Sequence, residues 1–129
     1  MGADASQTIL IIDDDESLLR AISTRLTSLR YHCVTAGSAE EGLEQFRLGR
    51  IDLVITDVIM PKSDGFSLLL KIREVSTVPI IVITGFAGKR PPFLRRFPDV
   101  KFFSKPFDWE RLVELVEAEL AVRGTADPQ

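Results

Sequence analysis

The chain has 129 residues, of which 45% are hydrophobic and 27% are charged, and its formal net charge is −3 at pH 7. This length suits one domain with its own core, and the acidic balance argues against nucleic acid as a direct partner, because binding to phosphates needs a basic face. The single cysteine excludes an intrachain disulfide, no apolar stretch approaches the length of a membrane span, and the first residues lack a signal-peptide pattern. We therefore expect a cytoplasmic protein that does not contact a membrane.

Strand and helix patterns alternate along the chain. Short runs of β-branched and aliphatic residues predict strands, which cover residues 8–12, 32–35, 53–56, 79–83 and 100–103. Apolar residues at helical spacing predict helices after the first, second, third and fifth strands. The predicted caps of the last three of these helices are Ser38 (with Glu41, as a capping box), Asp64 and Asp108. Prolines in the segment 85–99 leave room there for a fourth helix of only about two turns.

Repeated strand–helix units need a parallel sheet with right-handed crossovers and helices on both faces. We predict an α/β fold with a five-stranded parallel sheet in the order 2-1-3-4-5 and a short fourth helix. The domain is expected to span residues 8–122, with flexible tails at 1–7 and 124–129. In this order, strands one and three lie side by side where the strand order reverses, which is where open α/β sheets keep their ligand sites.

Charged and hydroxyl side chains follow four of the predicted strands, at the edge where the carboxyl ends of the strands meet. They are Asp13, Asp14, Asp57, Thr84 and Lys105. Clustered carboxylates repel one another unless a cation joins them, so this edge favours a hard divalent ion. The set suits phosphoryl transfer to a carboxylate, with Asp57 as the nucleophile and Mg²⁺ held by Asp13 and Asp14. Lys105 would supply a second positive charge, and the Thr84 hydroxyl would donate to a phosphate oxygen.

These residues and their neighbours resemble the receiver domains of bacterial two-component response regulators, the CheY-like family with a flavodoxin-like fold. The matching motifs lie within residues 8–122 and are Ile11-Ile12-Asp13-Asp14-Asp15, Asp57-Val58-Ile59-Met60-Pro61 with Asp64-Gly65, Thr84-Gly85, and Lys105-Pro106-Phe107. The resemblance implies that Asp57 accepts a phosphoryl group from a sensor histidine kinase or a histidine phosphotransfer protein. It also implies a signalling protein that catalyses only its own phosphorylation and dephosphorylation, and that changes its contacts with a downstream protein of unknown identity.

The same resemblance implies a metal site. Mg²⁺ would be bound by Asp14, Asp57 and the backbone carbonyl of Ile59, while Asp13 would act through a water molecule. The bond Lys105–Pro106 is typically cis in this family, and X-Pro bonds are where the cis form is tolerated.

Two features depart from the usual receiver pattern. The switch residues implied by the resemblance are Thr84 and Phe102, and phenylalanine can swing inward but has no hydroxyl for a bond outside. The segment 85–99 is short and rich in proline, so the fourth helix is stunted. Receivers commonly use the face of helix four, strand five and the last helix for dimerisation or output, and both departures argue against that use here.

Two other classes of protein are alternatives. Haloacid-dehalogenase-like phosphohydrolases carry Asp-x-Asp-x-Thr after their first strand, and this chain has a similar run in which Asp13 would be the nucleophile and Asp15 the general acid. That class needs acidic residues after strand four, where this chain has Thr84-Gly85-Phe86-Ala87. A flavin-binding electron carrier would need a phosphate loop rich in serine and threonine after strand one, and the acidic run there would repel phosphate.

Within the receiver class, two roles stay open. The chain is either a stand-alone receiver or a receiver that belongs to a hybrid kinase or a longer regulator. The sequence ends directly after the last predicted helix, which favours the stand-alone role. The residues do not identify the cognate kinase or the output.

Overall fold

The computed structural model describes residues 7–85 and 89–126, with side chains up to residue 121. Within these residues, five parallel strands form one sheet in the order β2-β1-β3-β4-β5, as predicted. The strands are β1 (Thr8–Ile12), β2 (His32–Ala36), β3 (Leu53–Thr56), β4 (Ile80–Thr84) and β5 (Lys101–Ser104). The α-helices are α1 (Glu16–Ser28), α2 (Ala39–Leu48), α3 (Gly65–Val75) and α4 (Trp109–Ala126), and a 3-10 helix covers Pro92–Arg96.

The sheet is buried between two layers of helices. Side chains of a strand alternate between its two faces, so Leu10 and Ile12 belong to one core cluster and Ile9 and Ile11 to the other. The first cluster packs the sheet against α2, α3 and the 3-10 helix, and the second packs it against α1 and α4. The central strands are therefore apolar on both faces, as expected for a parallel sheet. No helix in the described part of the chain is both long and apolar enough to cross a membrane.

Each α-helix begins at a side chain that accepts backbone N–H bonds. Ser38, Asp64 and Asp108 accept from the residues Glu41, Ser67 and Glu110, which confirms the three predicted caps. Asp15 caps α1 by accepting from the N–H of Leu18 at 3.2 Å, which the sequence pattern did not indicate. Because the five strands are parallel, their carboxyl ends all lie at one edge of the sheet.

Two strands are shifted by one residue from their predicted bounds. Pro79 was expected to begin strand four, but it has no N–H and takes part only through its carbonyl, which accepts from the N–H of Val54. Strand five was expected to begin at Val100, whose N–H instead closes a turn by donating to the Phe97 carbonyl. Both residues precede the strand because neither has an N–H that can donate to the sheet.

At both ends, the structure describes residues that the sequence analysis assigned to the tails, and the domain bounds 8–122 stay a prediction. The last helix continues to Ala126; a glycine inside a helix costs only about 1 kcal/mol, so the glycine at position 124 does not end it. At the other end, the carbonyl of Gln7 accepts from the N–H of His32, and its side chain donates to the Leu120 carbonyl. Residues 1–6 and 127–129 of the expected tails lie outside the described residues.

A 3-10 helix of five residues stands where a longer fourth helix is usual, in agreement with the predicted shortening. An aromatic cluster holds it against α3: the ring of Phe66 lies 5.5 Å from that of Phe93 and 5.8 Å from that of Phe97. At the end of α3, Arg73 forms an ion pair with Asp99. Side chains therefore attach the 3-10 helix and the residues directly after it to α3.

We predict that Gly65→Ala destabilises the protein. A Cβ atom at this position would overlap the backbone carbonyl oxygen and Cα of Val58, and backbone atoms cannot move aside as a side chain can. Overpacking of this kind lowers the free energy of unfolding by about 1–3 kcal/mol, which urea denaturation would measure. Gly49→Ala is the matched control, because nothing lies within 4 Å of its Cβ position. Equal losses in the two variants would contradict the steric explanation.

Candidate functional site

The site lies where β1 and β3 end side by side. Asp13 directly follows β1, and its N–H donates to the Ala36 carbonyl at 3.1 Å. Asp57 directly follows β3, and its N–H donates to the Ile12 carbonyl at 2.9 Å. These backbone bonds extend the sheet by one residue and bring two carboxyl groups to the same edge, where their residues are only 3% and 4% exposed.

Lys105 joins the two buried carboxylates. Its Nζ donates to Oδ2 of Asp13 and to Oδ2 of Asp57, and each distance is 2.9 Å. The backbone N–H of Lys105 donates to the Thr84 carbonyl at 2.9 Å, which ties the lysine to the end of β4. The peptide bond between Lys105 and Pro106 is cis, as the resemblance implied. Charged side chains that follow β1, β3 and β5 thus form one short, charge-assisted network, and the end of β4 holds its lysine.

Backbone N–H groups hold the remaining carboxylate oxygens. Oδ1 of Asp13 accepts from the N–H of Asp15 at 2.9 Å, and Oδ1 of Asp57 accepts from the N–H of Ile59 at 2.8 Å. These backbone bonds orient both carboxyl groups, while Lys105 contacts their other oxygens. Ile59 itself is 44% exposed.

Burial and charge act in opposite directions on the pKa values of this network. Burial raises the pKa of Asp13, and the hydrogen bonds from Lys105 and Asp15 offset only part of that rise. Burial by itself would lower the pKa of Lys105, but the two carboxylates outweigh it, and the pKa of Lys105 is raised. The lysine is therefore held firmly in its charged form.

A third carboxylate completes a potential metal site. Asp14 is exposed, and one oxygen from each of Asp13, Asp14 and Asp57 lies within 4.8 Å of the others. Oxygen donors of this kind suit a hard divalent ion such as Mg²⁺, which takes few carboxylates and keeps several waters. The three carboxylates that the sequence analysis expected near the metal therefore lie together, and the metal itself stays a prediction.

The side chains of the two expected switch residues make no hydrogen bond to this network among the described residues. Thr84 is completely buried, and its Oγ1 has no hydrogen-bond partner in the described part of the chain. Phe102 is half-buried and packs against the first core cluster, with its backbone in register with Val82. A buried hydroxyl without a hydrogen-bond partner costs about 1–3 kcal/mol. The Thr84 hydroxyl is therefore an unsatisfied polar group at this edge.

Sequence reasoning missed two contributors to the site. Thr56, the last residue of β3, donates from Oγ1 to the Asp57 carbonyl at 2.6 Å. Asp15, which was weighed as a general acid, is instead the cap of α1 and a backbone donor to Asp13. A threonine that ends a strand carries no distinctive signal, because β-branched residues are common in strands.

The fold is that of a receiver domain, and the comparisons with known proteins agree. The family described as "Response regulator receiver domain" matches residues 9–117, so the chain belongs to this family. The chain is therefore a receiver domain of two-component response regulators, and the haloacid dehalogenase alternative has no support.

Three similar proteins illustrate the family. A "Probable transcriptional regulator ycf27" of Guillardia theta is 36% identical over 119 residues, which are 91% of this chain and 46% of that protein. A response regulator receiver domain protein of Clostridium thermocellum has a TM-score of 0.81 at 28% identity and covers 92% of this chain and 98% of its own. The receiver domain of the hybrid histidine kinase CckA is 35% identical and has a TM-score of 0.68. The match covers 88% of this chain and 98% of that domain's chain. The chain spans less than half the length of the curated relatives it matches.

We predict that Lys105→Met lowers the free energy of unfolding by about 3 kcal/mol near neutral pH, because it leaves two buried carboxylates without their cation. The folded-state pKa of Lys105 is raised, so its stabilisation is fully present below the ordinary lysine pKa of about 10.4 and is lost as the pH rises through the folded value. Urea unfolding in chelator-treated buffer, repeated from pH 7 to alkaline pH, measures both effects.

The matched control is Lys101→Met on β5. Lys101 is half exposed and forms only a 3.7 Å ion pair with Glu119, so its loss should change stability by less than about 1 kcal/mol. A Lys105 effect that equals this control, or that persists unchanged at alkaline pH, would argue against the shared cation.

Proposed function

We propose that the protein accepts a phosphoryl group on Asp57 from a phosphohistidine, in a reaction that needs Mg²⁺. The observation that carries this proposal is the sharing of Lys105 Nζ between the buried carboxylates of Asp13 and Asp57, with the exposed Asp14 beside them. This arrangement provides a carboxylate nucleophile and a fixed positive charge at one open edge. Membership of the receiver family supports the same reaction.

In the proposed reaction, an oxygen of Asp57 forms a bond to phosphorus while the bond between phosphorus and the donor's imidazole nitrogen breaks. The N–H of Ile59 holds Oδ1 of Asp57, and Lys105 contacts Oδ2, so the carboxyl group is oriented before the donor arrives. Lys105 would remain close enough to balance the charge on the transferred oxygens. Most of the work of the protein is therefore positioning and charge compensation.

The metal would be held by Asp14, Asp57 and the Ile59 carbonyl, with Asp13 acting through water. When bound, Mg²⁺ would neutralise charge on the phosphoryl oxygens and on the three acidic groups. The carboxylates outnumber the one lysine that they contact, which is why the site suits a further cation.

Thr84 and Phe102 would couple the phosphoryl group to the surface. The unpartnered Oγ1 of Thr84 would donate to a phosphoryl oxygen, and this bond would remove the penalty of a buried, unsatisfied hydroxyl. Phe102, on the neighbouring strand, would then move farther inward. Phosphorylation would thus shift an existing equilibrium between two arrangements rather than create a new fold.

The expected partners are a sensor histidine kinase or a histidine phosphotransfer protein as donor, and a downstream protein as target. The regulators of similar sequence are longer proteins whose names describe transcriptional regulation, and CckA is a hybrid histidine kinase. Both the stand-alone role and the role as part of a longer protein therefore stay open. The cytoplasmic location and the lack of direct contact with nucleic acid stay predictions from composition.

We predict that acetyl phosphate, in the presence of Mg²⁺, adds one phosphoryl group to the wild type and none to Asp57→Asn. Intact-mass analysis measures the added group directly. Asp108→Asn is the matched control, because it makes the same substitution at a helix cap where asparagine also caps well. Modification that persists in Asp57→Asn would show that another residue is the acceptor.

We predict that Asp14→Ala abolishes the stabilisation by Mg²⁺ while it raises the Tm of the metal-free protein by roughly 2–4 °C. The carboxylate of Asp14 is a metal ligand in the proposed site, but without metal it only repels Asp13 and Asp57. Thermal unfolding with chelator and with increasing Mg²⁺ measures both effects. Glu44→Ala, which removes the same charge from an exposed position on α2, should leave the Mg²⁺ response intact. A lower metal-free Tm for Asp14→Ala would oppose the proposal.

A further inference from the structure

We infer that Thr56 is a positioning residue for the phosphoacceptor, an inference that rests on the function proposed above for Asp57. Thr56 is completely buried at the end of β3, and its Oγ1 donates to the Asp57 carbonyl oxygen at 2.6 Å. The hydroxyl fixes the orientation of the peptide plane between Asp57 and Val58. This peptide plane follows the acceptor residue directly, at the point where the chain leaves the sheet.

Among the residues that the structure describes, no backbone N–H donates to this carbonyl. On its amino side, Asp57 is fixed because its N–H donates to the Ile12 carbonyl. In the register of the sheet, β3 ends at Thr56, which lies opposite Ile12 on β1 and Val82 on β4. The Asp57 carbonyl therefore lies one residue beyond the ladder, and the neighbouring hydroxyl takes the place of a strand donor.

The orientation of this peptide plane matters because the chain returns to the site two residues later. The N–H of Ile59 donates to Oδ1 of Asp57 at 2.8 Å, and the Ile59 carbonyl is an expected metal ligand. A rotation of the plane between Asp57 and Val58 would displace both groups of Ile59 together. Displacements of about 1 Å at a reacting group can reduce a rate by two orders of magnitude.

Close packing against α3 also restricts the loop that follows Asp57. The backbone of Val58 lies so near the Cα of Gly65 that a Cβ there would overlap the Val58 carbonyl oxygen. The acceptor loop is thus restrained both by the Thr56 hydroxyl and by its contact with the backbone of α3. The Thr56 hydroxyl is the part of this support that a single isosteric substitution can remove.

The methyl and the hydroxyl of Thr56 can be tested separately. Thr56→Val keeps the branched shape and removes the hydroxyl, whereas Thr56→Ser keeps the hydroxyl and removes the buried methyl. We expect the rate constant for phosphorylation by acetyl phosphate, at saturating Mg²⁺, to fall roughly tenfold in the valine variant and to stay near the wild-type value in the serine variant. Stability should depend on the buried methyl instead. The serine variant should therefore have a lower Tm than the wild type, although its rate is retained.

Thr35→Val, the same substitution on the exposed face of edge strand β2, is the matched control and should leave the rate unchanged. A valine variant that reacts as fast as the wild type would overturn the inference. So would a serine variant that is as slow as the valine variant, because the loss would then follow packing rather than the hydroxyl.

Amide hydrogen exchange gives a second test that does not depend on phosphorylation. In metal-free protein, the Ile59 amide should exchange faster in Thr56→Val than in wild type or Thr56→Ser, while the Asp57 amide in the sheet should stay equally protected in all three. Unchanged exchange at Ile59 in the valine variant would overturn the inference. If the wild type takes up no phosphoryl group, the proposed function fails, and exchange at Ile59 still decides whether Thr56 sets this loop.

Discussion

The sharing of one lysine between two buried carboxylates is the constraint on which the rest of the site depends. Asp13 and Asp57 are brought together by adjacent strands, and the removal of both charges from water would be strongly unfavourable without Lys105. The lysine arrives from the far edge strand and is fixed by its backbone bond to Thr84. The sheet therefore keeps three charged groups from distant parts of the chain in contact, and any added cation or anion at this edge changes the balance among them.

The two sides of the site differ in how completely their polar groups are hydrogen-bonded. The loop after β3 is held by many polar contacts, and it extends to α2, where the Ala39 N–H donates to Ser63 Oγ at 3.1 Å and Ser63 donates to Glu40 at 3.2 Å. On the other side, the buried hydroxyl of Thr84 has no partner in the described residues. In the proposed function, the acceptor would stay fixed while the end of β4 responds, so chemistry and signalling would be divided between two neighbouring strands.

Much of this architecture could be predicted from the residue pattern, since strands one and three are aliphatic runs that stop at aspartates. The pattern failed where one residue type has two roles. Asp15 belongs to an acidic triplet that suggested a ligand or an acid, yet it caps a helix. Thr56 looked like an ordinary strand residue, because no sequence signal distinguishes a β-branched side chain that packs from one whose hydroxyl bonds to the backbone. Such contacts depend on the backbone dihedral angles at the end of a strand, and the spacing of residues in the sequence does not determine those angles.

The short 3-10 helix before β5 changes how motion can pass from the site to the surface. A long α-helix moves as a rod, so a small displacement at one end reappears at the other. Five residues at three per turn make fewer than two turns, and they are attached through Phe66, Phe93 and Phe97 rather than through a long hydrogen-bonded axis. Arg96 lies 5.8 Å from the centre of the Phe66 ring and covers this aromatic contact with a positive charge. A partner that binds this surface would therefore contact aromatic rings and the Arg96 guanidinium that change position locally, rather than a helix that moves as a whole.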